Sequence, residues 1–156
     1  MKWLQQTKKV TCYLASGWFN PQQEQARQEI LEVLNKLGIS YFSPKDEVEV
    51  KPDASAEDRK KAFQADTEII RDCDFVVAST VGKDMGTLME MGMSYAWNTP
   101  FIVYFPNDQH LPVNLMIAES AYAVASSKQE LEDVISQCIE NGFDFSKKIY
   151  YEGNIE

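Results

Sequence analysis

Two hydrophobic rhythms alternate along this chain. Short continuous apolar runs lie at residues 10–15, 39–42, 75–78, 101–105 and 122–125, each with the length and β-prone content of a buried strand. Between them, apolar positions return every three or four residues, which is the mark of a helix with one face on a core. The clearest case is Ala26, Ile30, Val33, Leu34 and Leu37. Asn20 and Pro21 open that helix, because an Asn side chain caps free N–H groups and proline tolerates the first turn; Gly38 closes it. A second helix is expected over 56–71, capped by Ser55 with Asp58 three residues on, a third over 86–97, and a last one over 128–140 capped by Ser127. Residues 45–55 are polar and carry Pro52, so they read as a loop, longer than a passive connection needs. Residues 81–85 and 106–112 read as further loops. The tail from 143 to 156 has no period, yet holds Phe143, Phe145, Tyr150 and Tyr151, a dense aromatic set that predicts packing against something.

Strand–helix alternation implies a parallel sheet with helices on both faces. Five strands in 156 residues predict a single-domain α/β fold, flavodoxin-like (Rossmann-like), with strand order 2-1-3-4-5. Residues 1–9 read as an N-terminal extension and 10–156 as the domain. Ligands of such sheets bind beyond the carboxyl ends of the strands, so the loops after the first, third and fourth strands matter most.

Charge and motif content narrow the chemistry. Lys and Arg number 15 against 24 Asp and Glu, a net charge of -9, and no basic stripe interrupts it, which argues against a nucleic-acid polymer as partner. An uncharged nucleoside feels little of that field. The three cysteines, Cys12, Cys73 and Cys138, have no metal or redox spacing and predict buried thiols in a reducing cytoplasm. No metal site and no cofactor is expected. The first residues lack the apolar centre of a signal peptide, and no apolar run is long enough to span a bilayer. Neither GxGxxG nor GxxxxGK[ST] occurs, the loop after the first strand is aromatic where a flavin loop is rich in Ser, Thr and Gly, and Ser79-Thr80 stands where a phospho-acceptor Asp would. The lone histidine, His110, lies in a polar loop and reads as a solvated side chain. Catalysis is left to carboxylates, hydroxyls and amides.

The densest constellation is Asp84-Met-Gly-Thr-Leu-Met-Glu90-Met-Gly92, at a loop-to-helix junction after the third strand. Thr87 and Glu90, three apart, share a helix face. Glu90 lies in the first turns, where the helix dipole favours an ionised carboxylate. Its neighbours Leu88, Met89, Met91 and Met93 predict a helix buried nearly all round. On physics alone, Glu90 is either a charge that merely stabilises a helix end or a carboxylate with a chemical task.

Tyr13-Leu-Ala-Ser-Gly-Trp-Phe19 after the first strand, Asp84-x-Gly86-x-x-x-Glu90-x-Gly92 after the third, Asn114-Leu-Met116 after the fourth, and Tyr151-Glu-Gly153 near the end occur in this order. Together they resemble the nucleoside 2-deoxyribosyltransferase family, over nearly the whole chain from Val10 to Glu156. The resemblance implies that Glu90 is the nucleophile that takes the deoxyribosyl group, and that Tyr13 orients it. It implies that Asp84 and Asp66 contact the base and move its proton. Ser16, Trp18, Phe19, Gly86 and Met116 become substrate-binding candidates, and Asn114 and the terminal residue Glu156 would serve the sugar hydroxyls of a neighbouring subunit. Some members place a glutamine after the second strand to read the base; here that loop reads Ser43-Pro-Lys-Asp46-Glu47, which leaves Asp46 and Glu47 as the two candidates and base preference open.

The implied reaction is a retaining double displacement of the base of a 2′-deoxynucleoside, with a free nucleobase as second substrate. The implied assembly is a homo-oligomer with shared sites, dimer-based, with a hexamer expected from closed symmetry. Two rivals stand beside it. One is a deoxynucleoside 5′-monophosphate N-glycosidase of the same superfamily, which needs a phosphate pocket; Trp18, Phe19 and the acidic charge argue against it. The other is a non-catalytic nucleotide-binding module in which Glu90 is only a structural charge.

Overall fold

The computed structural model describes residues 10–156; the extension read at residues 1–9 lies outside the described residues. Five strands, β1 (Cys12–Ala15), β2 (Tyr41–Phe42), β3 (Phe75–Ser79), β4 (Phe101–Tyr104) and β5 (Ala123–Ala125), form one sheet in the order β2-β1-β3-β4-β5. All pairs are parallel, with Tyr13 opposite both Phe42 and Val76, and Ser79 opposite Tyr104. This is the expected flavodoxin-like topology. The three central strands are buried along their whole length, as continuous apolar runs require.

Six helices connect and cover the sheet: α1 (Pro21–Lys36), α2 (Pro44–Glu47), α3 (Ala56–Asp72), α4 (Met85–Ala96), α5 (Leu115–Ser120) and α6 (Lys128–Glu140). Asn20, Ser55 and Ser127 cap α1, α3 and α6 as expected, each side chain accepting a backbone N–H three residues on. Gly38 follows α1 at φ +68°, a left-handed turn that glycine adopts without steric cost.

The period of two along β1 decides where the chemistry sits. Cys12 and Leu14 point to the face covered by α1 and α6, where they join Ile30, Leu34, Phe75, Ile102, Leu131 and Ile135. Tyr13 and Ala15 point to the opposite face, among Phe42, Ala65, Ile70, Val76, Met91 and Val103. That second face is roofed by α3 and α4, which pack on each other. The Arg71 guanidinium lies 4.5 Å from the centre of the Trp97 ring, tying the end of α3 to the end of α4.

Three expectations need correction, and the expected packing of the tail is found. The loop after β2 begins with the one-turn helix α2, too short to show a period, started by Pro44 at its first position. The segment after β4 holds the unexpected six-residue helix α5, capped by Asn114. Helix α4 is not buried all round: Met85, Leu88, Met89 and Tyr95 face outward, 83%, 40%, 58% and 64% exposed, because the sheet and α3 cover only one side. The first half of the aromatic tail packs on its own domain: Phe143 stacks on Phe75 at 5.9 Å and Phe145 meets Tyr122 edge-on at 4.9 Å. Its last residues return to the loop after β4, where Ile155 bridges Val113 in parallel. Cys12, Cys73 and Cys138 are all buried. Among the described residues no helix is long and apolar enough to cross a membrane.

Candidate active site

Tyr13, Asp66 and Glu90 meet where the roof closes on β1. Tyr13 does not end its strand: it is the second residue of β1, fully buried, with its ring stacked on Phe42 at 5.9 Å. Asp66 flanks Ala65 on the inward side of α3, and Glu90 lies beside Met91 on the inward side of α4. The Tyr13 hydroxyl is close enough to both carboxyls to lower the proton affinity of each as a hydrogen-bonding neighbour. Yet the Tyr13 hydroxyl, Asp66 Oδ1 and Glu90 Oε2 are all buried without a hydrogen bond of regular geometry. Three polar atoms held out of water in this way are costly, on the order of 1–3 kcal/mol each, and a fold retains such a cluster where function requires it.

Burial governs the protonation of this cluster. Glu90 is pushed from its ordinary 4.5 up to about 8, first by desolvation and then by the charges of Asp66 and Asp84, with the Tyr13 hydroxyl pulling the other way. Asp66 is pushed from 3.8 up to about 7, again by desolvation against the phenol. The phenol itself is raised well above its usual value by burial and the two carboxyls. The helix dipole, which favours an ionised Glu90, is therefore outweighed by desolvation.

Asp84 stands at the N-cap of α4. Its Oδ2 accepts the Thr87 N–H at 2.8 Å and the Thr87 hydroxyl at 2.9 Å, so one of its oxygens is spent on holding the helix. The chain reaches this cap through a sharp turn, Gly82 at φ +73° and Lys83 at φ +50°. Gly86 leaves the cap room: a Cβ there would stand 3.3 Å from Asp84 Oδ2.

The remaining candidates fall into three further groups. After β1, Ser16 is buried and donates its hydroxyl to the Gly17 carbonyl at 2.9 Å, while Trp18 is half-buried and Phe19 is 71% exposed beside it, ring centres 5.0 Å apart. In the α2 segment Asp46 pairs with the buried Arg27 guanidinium, which also bonds Ser43 at 3.0 Å and Glu24 at 3.1 Å; Glu47 is half-buried and has no such partner to hold it. On the other side of α4, Asn114 and Glu156 come together. The Glu156 N–H donates to the Val113 carbonyl at 3.0 Å and the Leu115 N–H donates to the Glu156 carbonyl at 3.0 Å. Both residues line a cavity of about 350 Å³ with Lys83, Leu88 and Phe105. Asn114 Oδ1 also accepts the Met116 N–H at 3.0 Å, and Met116 is 75% exposed on a groove between α4 and α5. His110 is exposed, as expected of a solvated side chain. Among the described residues no group of acidic, histidine or cysteine side chains is arranged to hold a metal.

Two residues essential to this arrangement gave no motif signal. Arg27 is 2% exposed and anchors α2 to α1. Gln23 is 5% exposed and lies against both Gly17 and Gly82. Both sit on the apolar stripe of α1, Gln23 three residues before Ala26 and Arg27 three before Ile30, so polar residues at core-facing positions were the signal that could have found them.

The fold and site define an α/β protein with a buried carboxylate pair at the edge of the second β1 face. Residues 12–131 match the family described as nucleoside 2-deoxyribosyltransferase, and the chain belongs to that family, an enzymatic one. Among solved structures it is similar to the 2-deoxyribosyltransferase of Bacillus psychrosaccharolyticus, at 30% identity and TM-score 0.69, over 80% of this chain and 91% of that one. A conserved protein from Enterococcus faecalis V583 shares the fold at 19% identity and TM-score 0.68, over 83% and 99% of the two chains. So does a CMP N-glycosidase of Clostridium botulinum, at 16% identity and TM-score 0.54, over 81% and 98%. No curated protein matches the chain.

Proposed function

We propose that this protein exchanges the base of 2′-deoxynucleosides by a retaining double displacement with Glu90 as nucleophile. The observation that carries the reading is the Glu90 carboxyl, buried on the inward side of α4 with its Oε2 unpartnered and with Tyr13 and Asp66 beside it. Desolvation holds a proton on Glu90 up to about 8, so the reacting state is the one in which Glu90 has lost that proton to solvent, with Tyr13 favouring the ionised form, while Asp66 keeps its own. One Glu90 oxygen attacks the anomeric carbon as the carbon–nitrogen bond to the base breaks. The departing base takes a proton from Asp66, whose affinity near neutrality suits a donor that must later accept one. An incoming base then attacks the same carbon, gives its proton back to Asp66, and frees Glu90. The two inversions restore the original stereochemistry.

The aromatic pair Trp18 and Phe19 forms the lip of the pocket, and Glu47 is the better placed of the two base-reading candidates because Asp46 is committed to Arg27. Asp84 and Gly86 hold the start of α4 against that pocket. Asn114 and Glu156 complete the sugar site of a neighbouring subunit, in a dimer-based homo-oligomer such as a hexamer, which would also cover the exposed apolar residues of α4 and Met116. The hydrolytic rival needs a phosphate pocket after β1, and Ser16, the residue there with a free donor in the sequence, donates instead to Gly17.

Incubation with a 2′-deoxynucleoside followed by acid quench and peptide mass spectrometry tests the reading. The expected result is a deoxyribosyl ester on Glu90, and several orders of magnitude less base exchange in Glu90→Ala with the fold intact. Near-normal exchange in that variant would end the covalent proposal.

A further inference from the structure

We infer that Gln23 is a positioning residue: its carboxamide clamps the aromatic lip after β1 to the turn that launches α4, and so sets the gap between Trp18-Phe19 and the helix carrying Glu90. Two chain segments, the loop after β1 and the turn before α4, converge on this one side chain, and a third contact fixes its backbone. Its Oε1 accepts the Phe19 N–H at 2.9 Å, the hydrogen bond that orients the lip. Its own N–H is held by Asn20 Oδ1 at 2.9 Å, which fixes the first turn of α1 from which it projects. The far side of the carboxamide lies against Gly82, where an added Cβ would stand 2.7 Å from Nε2.

Two glycines make room for it, for different reasons. Gly82 also needs its left-handed φ, so glycine there serves the turn as well as the space. Gly17 has no such backbone demand. A Cβ on Gly17 would stand 2.6 Å from Gln23 Oε1 and 3.0 Å from the Asp84 Cβ, so Gly17 is pressed between the clamp and the α4 cap. The path from Gln23 to Glu90 is short and stiff: Gly17, Asp84, Thr87 through two hydrogen bonds, then the inward face of α4. Gln23 is 5% exposed and touches no reacting group, which separates it from the catalytic residues.

Its contribution to catalysis rests on the proposed transferase reading, while the clamp itself does not. Gln23→Met keeps the length and removes the acceptor; Gln23→Glu keeps an acceptor. Two readouts are taken on each: deuterium exchange at the Phe19 amide, and the Michaelis constant and turnover for base exchange. In Gln23→Met the Phe19 amide should exchange about tenfold faster, with the Michaelis constant up about tenfold and turnover within about threefold, as expected for one lost orienting hydrogen bond. Gln23→Glu keeps the acceptor, so its Phe19 amide should stay within about threefold, whereas its Michaelis constant is allowed to rise because a buried carboxyl is placed near Asp84. Gly17→Ala, which pushes the carboxamide from the other side, should raise the Michaelis constant like Gln23→Met, and it decides the matter if Gln23→Met does not fold. An unchanged Phe19 amide in Gln23→Met, or a Phe19 amide that exchanges as fast in Gln23→Glu as in Gln23→Met, overturns the clamp. Absence of base exchange in the unaltered protein would instead sink the transferase reading, with the Phe19 amide still deciding the role of Gln23.

Discussion

Replacing Glu90 with glutamine should make the protein inactive and more stable, by an amount that depends on pH. An unfolded glutamate ionises near 4.5, whereas the folded Glu90 ionises near 8. Below pH 4.5 the group is neutral in both states and its burial costs no ionisation energy. Between 4.5 and 8 the unfolded chain gives up its proton and the folded chain keeps it, so stability drains away as pH rises; above 8 the loss levels off. At about 1.4 kcal/mol per pKa unit, and with Asp66 sharing the same desolvated space, the cost is roughly 2–4 kcal/mol at pH 8. A neutral carboxamide of the same shape avoids it, though its NH2 group must find the Tyr13 oxygen or the Asp66 carboxylate, which offsets part of the gain. For a domain of this size 1 kcal/mol moves the Tm by roughly 2–4 °C, so Glu90→Gln should melt about 4 °C or more above the parent at pH 8 and nearly level with it at pH 5. Thermal melts followed by circular dichroism from pH 5 to 9 read this directly. A variant no more stable than the parent at pH 8, or one with the same gain at both pH values, would show that Glu90 is not a desolvated acid.

Tyr13→Phe removes the hydroxyl that lowers the proton affinity of both carboxyls, so the acidic limb of the kcat/KM profile should move to higher pH, with a loss of tenfold to a thousandfold near neutrality; an unmoved limb would separate Tyr13 from the ionisation of Glu90. Deleting residues 154–156 should raise the Michaelis constant and lower turnover, and mixing inactive Glu90→Ala protein with inactive Asn114→Ala protein should restore partial activity if subunits share sites; demonstrated subunit exchange without activity rejects sharing. Arg27→Met takes the buried guanidinium away from the half-exposed Asp46, from Ser43 and from Glu24, which keeps Lys45, and should cost about 1–3 kcal/mol in denaturant unfolding, whereas a loss below about 0.5 kcal/mol would mean that α2 is held by other contacts.

The sheet order and the main helices were legible because their signals are local: continuous apolar runs for β1, β3 and β4, and capping residues at Asn20, Ser55 and Ser127. Helices α2 and α5 escaped because one turn or two cannot express a 3.6-residue period. The Glu90 motif was legible, but its protonation was not. The dipole at the start of α4 can be read from position along the chain, whereas the desolvation that outweighs it depends on α3 and β1 closing over the same atoms. Asp84 and Asn114 illustrate the same limit: each could be marked as polar and well placed, but only the folded chain reveals that their oxygens cap α4 and α5. Gln23 and Arg27 lie on the apolar stripe of α1, so their burial could be read from the helical period, but their partners come from distant segments, Gly82 for one and Asp46 for the other.

Because Tyr13 projects from the middle of a buried strand, the groups proposed to react hang from the frame of the protein, while the segments proposed to read the base, the aromatic lip and α2, hang from connections between frame elements. Chemistry and recognition thus sit on separable parts. Loops after β1 and β2 can be exchanged between relatives, or randomised in a library, with Tyr13, Asp66 and Glu90 left untouched, provided the graft keeps the small residue at position 17 and the acidic partner for Arg27. Altering the reaction type is the harder task, since every substitution there is also a substitution in the hydrophobic interior.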